Sequence, residues 1–158
     1  MAYPYGDFNH RVIEVLRRLG IAYSRTTAVA NPCFPVAEPL AWPATGHQYT
    51  DKLTDRFTAL YENQNSRGVF FIWGHTYEFD RKNDWPSLER IYKPLAGKPD
   101  VWYCTNLELF DYEAARQRIV IAANRATAFN PSAQPVTLKA DGRLLDVPGG
   151  QTISLLAA

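Results

Sequence analysis

The stretch FFIWGHTYEFD, residues 70–80, decides how this chain is read. With Val69 before it, five apolar residues run without a break from 69 to 73. An unbroken apolar run of that length, with no alternation, is how a strand covered on both faces reads. Gly74 ends the run and His75 follows at once. In parallel α/β architectures ligands bind beyond the carboxyl ends of the strands. The stretch therefore predicts a parallel strand with His75 at the mouth of a site.

Outward from that strand the same alternation repeats. Ala2 and Tyr3 read as a strand end and residues 4–6 as a turn. Asn9 caps a helix carrying Val12, Ile13, Leu16 and Leu19 at helical spacing, and Gly20 stops it. Residues 21–26 form a short strand. Residues 28–48 hold four prolines and no period, so they predict a long ordered loop, anchored by Phe34, Leu40 and Trp42. Thr50 caps a second helix with Leu53, Phe57 and Leu60. Asp84 and Pro86 start a third, with Leu88, Ile91 and Leu95, which ends at Gly97. VWYCT, residues 101–105, is a further buried strand, and Asn106 begins a helix to about Arg116.

Strand–helix thus occurs four times, the pattern of parallel βα units in an open sheet or part of a barrel. Beyond residue 116 the period becomes two: RIVIAA, ATAFN, PVTLKA, RLLDV and TISLL are short alternating segments, with turns at Asp141-Gly142 and Gly149-Gly150. The expected organisation is an α/β domain over 1–116 and an antiparallel β tail over 117–158 packed on it.

The 158 residues suit one domain with a small appendage. A composition 46% hydrophobic and 13% aromatic supplies a core, which excludes a disordered chain. A net charge of +1 argues against nucleic acid or an anionic membrane surface as partner. No apolar run reaches the roughly 20 residues that span a bilayer, and the N-terminus lacks the pattern of a signal peptide. The expectation is a cytoplasmic protein. The two cysteines, Cys33 and Cys104, make no CxxC pair, and in that compartment neither a disulfide nor a nucleophilic thiol is expected.

Two blocks carry a resemblance. AYPYGDFNHRVIEVLRRLGIAYSRTT resembles the third block of the polysaccharide deacetylase (NodB-homology) family, an arginine–x–Pro–Tyr–Gly pattern, and FFIWGHTYEFDRKNDW resembles its final block, a leucine–x–His pattern at a strand end. WPATGH, VWYCTNLELFDYEAA and FNPSAQPVTLKADGR are also similar to one bacterial branch of that family, whose chains end in a β tail. The resemblance implies half of a deacetylase-like β/α barrel. It gives His75 the role of general acid that protonates the leaving amine, and the backbone N–H of Tyr5 that of oxyanion donor. Both roles fit general chemistry. The family's Thr-Phe-Asp-Asp-Gly and His-xxx-His blocks, which supply its base and metal ligands, have no counterpart here, and its third-block arginine is Ala2.

The residues leave several readings open. One is a truncated hydrolase acting on an ester or amide of carbohydrate type, or on another ester such as a phosphoester. It would work as a homo-oligomer that covers the open edges of a half-barrel. Another is a non-catalytic binding module or partner subunit, and a third is a folded remnant with no function of its own. On the hydrolase reading His75, Tyr5 and Asp7 are the catalytic candidates. Trp42, Trp73, Glu78 and Asn106 are candidates for binding a small-molecule or carbohydrate substrate. His47, His75 and His10 are candidate ligands for a divalent metal such as zinc, within one chain or between copies. The alternatives are ordinary: a loop hydrogen bond for His75, packing against Trp42 for His47, a solvated helix surface for His10, and helix capping for Asp7.

Overall fold

The computed structural model describes residues 1–30, 36–63 and 68–156, so Cys33 and Phe34 of the proline-rich stretch lie outside the described residues. The chain divides into two compact units, Met1–Tyr103 and Cys104–Ala158. The architecture is mixed α/β with several small sheets, and among the described residues no barrel closes. None of the described helices is long and apolar enough to cross a membrane.

The first unit is built on parallel pairing. Ala2 bridges to Arg25 at the start of β1 (Arg25–Val29), and β1 pairs in parallel with β2 (Trp42–Ala44). After Thr45, β3 (Gly46–His47) pairs in parallel with β4 (Ile72–Trp73). Helix α1 (His10–Arg18) lies between Ala2 and β1 in the chain, and α2 (Leu53–Glu62) between β3 and β4. The Asn9 side chain accepts a hydrogen bond from the Val12 N–H, as its capping position requires, and α1 buries Ile13 and Leu16 against Tyr3 and Leu40. The Tyr3 hydroxyl closes that core by donating to the Leu40 carbonyl at 2.6 Å.

Several expectations are corrected. The strand expected at 21–26 begins only at Arg25. Residues 39–47, expected as loop, form a 3₁₀ turn (Pro39–Ala41), β2 and β3. The prolines hid them, yet the ladder with β1 uses the Trp42 N–H and the Ala44 carbonyl, and places no demand on the N–H that Pro43 lacks. Thr50 does not cap α2. Its hydroxyl accepts the His47 N–H at 2.9 Å and its own N–H donates to the His47 carbonyl, so it closes the turn after β3. In VFFIW only Ile72 and Trp73 are in ladder pairing, and all five residues are half-buried rather than buried.

The sequence reading missed α3 (Tyr77–Lys82), which follows His75 directly. Pro86 opens α4 (Pro86–Tyr92) as expected. VWYCT is not a strand, and its Trp102 and Tyr103 are more than half exposed.

In the second unit α5 (Asn106–Gln117) starts with a reciprocal capping box between Thr105 and Glu108. The antiparallel tail follows as expected: β5 (Val120–Ile121), β6 (Thr127–Phe129) and β9 (Thr152–Ser154) form one sheet, and β7 (Val136–Ala140) and β8 (Arg143–Val147) form a hairpin. Its two-residue turn is Asp141-Gly142, with φ of 49° and 79°. Ala128, Val147 and Leu155 form its core.

Candidate functional site

The site grows out of one register. Gly46 lies opposite Ile72 and His47 opposite Trp73, so the two strands end side by side. Thr45 pins that register: its N–H donates to the Phe71 carbonyl at 2.8 Å and its hydroxyl accepts the Phe71 N–H at 3.0 Å. His47 therefore leaves the end of β3 beside the segment that carries His75. The chain then turns into α3, whose N–H at Glu78 reaches back to the His75 carbonyl at 3.1 Å. That turn returns the Glu78 carboxylate to both histidines.

Glu78 bridges them. Its Oε2 lies 3.0 Å from His47 Nε2 and its Oε1 lies 3.4 Å from His75 Nδ1. Gln48, buried at 4% exposure, donates through Nε2 to Glu78 Oε2 at 2.6 Å and to the His75 carbonyl at 3.0 Å. Burial raises the Glu78 carboxyl. Electrostatic attraction to the His47 imidazole, the His75 backbone N–H and the His75 ring together outweigh burial and hold it below the usual carboxylate range. The side chains of His47 and Glu78 are about a quarter exposed, and that of His75 is 43% exposed.

The tautomers follow from these contacts. The Tyr49 N–H donates to His47 Nδ1 at 3.3 Å, which keeps a lone pair there and places the proton on Nε2, facing Glu78. The His75 Nδ1–H faces the other carboxylate oxygen. Three of the four imidazole nitrogens are thereby engaged, and among the described residues His75 Nε2 has no partner. A carboxylate on Nδ1–H orients an imidazole and stabilises its charged form, so that Nε2 can take up and return a proton. Trp73 walls the pair: its ring meets that of His47 edge-on at 4.6 Å and that of His75 at 5.8 Å, beneath the Arg25 guanidinium at 4.2 Å.

The remaining candidates are placed as follows. Trp42 is 1% exposed, packed edge-on against Tyr23 and Phe71, and belongs to the core rather than to a ligand surface. Tyr5 is fully exposed in the turn after Ala2, with φ of 56°, and Asp7 is exposed just beyond it. Ala2 bridges to β1 in the sheet of β1 and β2, whereas His75 follows β4 in the separate pair of β3 and β4. His10, 83% exposed, pairs with Glu14 at 3.2 Å on α1 and is not part of the His47–His75–Glu78 group. Asn106 opens α5 in the second unit. Sequence reasoning placed Glu78 at the mouth but not between the histidines, and it missed Gln48 and Tyr49. Their only sequence signal is that they directly follow His47.

The chain matches no protein-family model, no curated protein and no solved structure.

Proposed function

We propose that this chain is a hydrolase of esters or amides whose proton-transferring atom is His75 Nε2. The observation that carries the reading is the orientation of His75: its Nδ1 faces a carboxylate, and its Nε2 has no partner among the described residues. In such a reaction His75 Nε2 takes a proton from water as the water oxygen bonds to the acyl or phosphoryl centre. It returns that proton to the leaving oxygen or nitrogen as the old bond breaks, so one water is consumed and His75 is regenerated. His47 and Gln48 hold Glu78 in place and touch no substrate.

The resemblance to polysaccharide deacetylases favours a carbohydrate-borne acyl group as substrate. Other esters, phosphoesters included, are the alternative substrates. On this reading the parallel strands of the first unit are part of a barrel, and association of copies covers the edge of β4 that pairs with no other strand among the described residues. The test compares wild type with His75→Gln on acetylated chitooligosaccharide, p-nitrophenyl acetate and bis-p-nitrophenyl phosphate. Wild type turns over at least one of these and His75→Gln does not, while both give the same circular dichroism and light-scattering mass. Equal turnover by the variant refutes the assignment. A wild-type chain inert toward all three leaves the binding-module reading in its place.

A further inference from the structure

We propose that His47 Nε2, His75 Nδ1 and one Glu78 oxygen together form a binding site for a single borderline transition-metal ion, zinc by preference. The proposal uses the same side chains as the hydrolytic reading but does not depend on it.

The geometry comes first. The three donor atoms lie within 4.8 Å of one another, and Glu78 is 3.0 Å from one imidazole nitrogen and 3.4 Å from the other. Zinc with nitrogen or oxygen ligands at about 2.0–2.1 Å needs tetrahedral ligand separations of about 3.4 Å. Glu78 stands near that spacing from each imidazole, through Oε2 to His47 and Oε1 to His75, and the whole group lies within 4.8 Å, so an ion enters by side-chain rotations that turn one carboxylate oxygen toward both rings. Three protein ligands leave a fourth position open to solvent, on the side where His75 is exposed.

The donor set speaks next. Two imidazoles and one carboxylate match zinc, cobalt or nickel, and lack the oxygen count that calcium or magnesium demands. The outer contacts are in place: Gln48, itself buried, holds the Glu78 carboxylate and the His75 carbonyl together. Two ring protons must move: metal at His75 Nδ1 displaces the proton facing Glu78 to Nε2, so the metal-loaded site and the general-base form of His75 are alternative states of the same side chains. Metal at His47 Nε2 moves the ring proton to Nδ1, which now accepts the Tyr49 N–H. That hydrogen bond is long, 3.3 Å, and its loss is the signature the proposal predicts. The site differs from the set expected from the sequence, since His10 is replaced by Glu78 and one chain suffices.

The experiment uses the full chain without an affinity tag, stripped of metal and dialysed against Zn²⁺, with metal read by elemental analysis. Co²⁺ replaces Zn²⁺ in a parallel sample for its visible absorption. The expected result is one zinc per chain, a tetrahedral-type cobalt spectrum, and no comparable binding of Mg²⁺. His47→Ala and Glu78→Gln each weaken zinc binding by about tenfold or more, whereas His10→Ala leaves it unchanged. The Tyr49 amide resonance shifts on zinc addition. Absence of saturable zinc binding by wild type overturns the proposal, and so does zinc binding that both site variants retain. Because wild-type binding and the cobalt spectrum need no variant and no substrate, neither misfolding of a variant nor absence of hydrolysis obscures the outcome.

Discussion

Gly74→Ala is the sharpest probe of how the site is assembled. The φ of Gly74 is not in the left-handed region, so its backbone accepts an L-residue without strain. The obstacle is space. A Cβ at position 74 would stand 2.7 Å from Gln48 Cγ and closer still to its Cδ and Oε1. Gln48 is 4% exposed and cannot swing into solvent without breaking both of its bonds, one to the His75 carbonyl and one to the Glu78 carboxylate. A neutral hydrogen bond is worth about 1 kcal/mol and one to a charged group about 1.5–3 kcal/mol, which gives a loss of about 2.5–4 kcal/mol. Alanine returns about 0.4–1 kcal/mol by restricting the unfolded chain. The net expectation is a destabilisation of about 1.5–3.5 kcal/mol.

All four tryptophans, Trp42, Trp73, Trp85 and Trp102, lie in the first unit, so urea unfolding followed by tryptophan fluorescence reports that unit alone. A double-mutant cycle isolates the clash. In a Gln48→Ala background the obstacle is gone, and Gly74→Ala should be neutral or stabilise by up to about 1 kcal/mol. The reasoning is refuted if Gly74→Ala costs the same with and without Gln48, or if it changes wild type by less than about 0.5 kcal/mol.

Three further outcomes are expected, all in the second unit. Asn130 is fully buried and donates to the Gln134 and Val147 carbonyls at 2.8 and 2.9 Å, so Asn130→Asp turns an acceptor toward two carbonyls and should cost about 3 kcal/mol or more in a thermal or urea melt. Glu113 is held below the usual carboxylate range, chiefly by its two-pronged bond to Arg116, against the opposing effect of burial. Its folded form thus binds protons less readily than the unfolded chain, so its contribution is complete above an unfolded value of about 4.3 and is lost as pH falls below it; Glu113→Gln should flatten that part of the stability–pH curve, read by amide NMR. Cys104 is pushed up by burial and by Glu108, so site-resolved mass spectrometry should find it alkylated more slowly at neutral pH in the native chain than in urea.

What was legible in the sequence was local. Asn9 beside Val12, Thr105 beside Glu108, and Asp141-Gly142 between two alternating runs each specify their element within a few residues, and α1, α5 and the β7–β8 hairpin stand where those signals put them. What failed was non-local or masked. Pro39 and Pro43 hid β2 because a proline-rich stretch reads as loop until its partner strand shows which N–H groups the ladder uses. VWYCT has the composition of a buried strand, but no ladder pairing accompanies it, and composition alone carries no pairing information. At the site, His75 was legible from its place after the apolar run. The link from His47 to Glu78 was not, since it spans 31 positions in sequence and exists only through the β3–β4 register.

That register is the step on which any chemistry here depends. Side chains along a strand alternate between faces, so a slip of one residue between β3 and β4 would carry His47 to the opposite side from Glu78. Parallel pairing of two residues is too short to specify itself, and the sequence around it supplies the missing constraint through side chains. Thr45, 3% exposed, engages Phe71 through both its backbone and its hydroxyl, and Thr50 closes the turn behind His47. Gln48 then ties the β3 end to the His75 carbonyl across the ladder. Each of these residues is polar, buried or half-buried, and hydrogen-bonded to the neighbouring backbone or carboxylate. A stretch that sets polar side chains against backbone groups at one strand end, where apolar packing would serve stability as well, is spending specificity on the position of one carboxylate. The two imidazoles meet at that carboxylate, and both a proton-transfer site and a metal site require it to be held still.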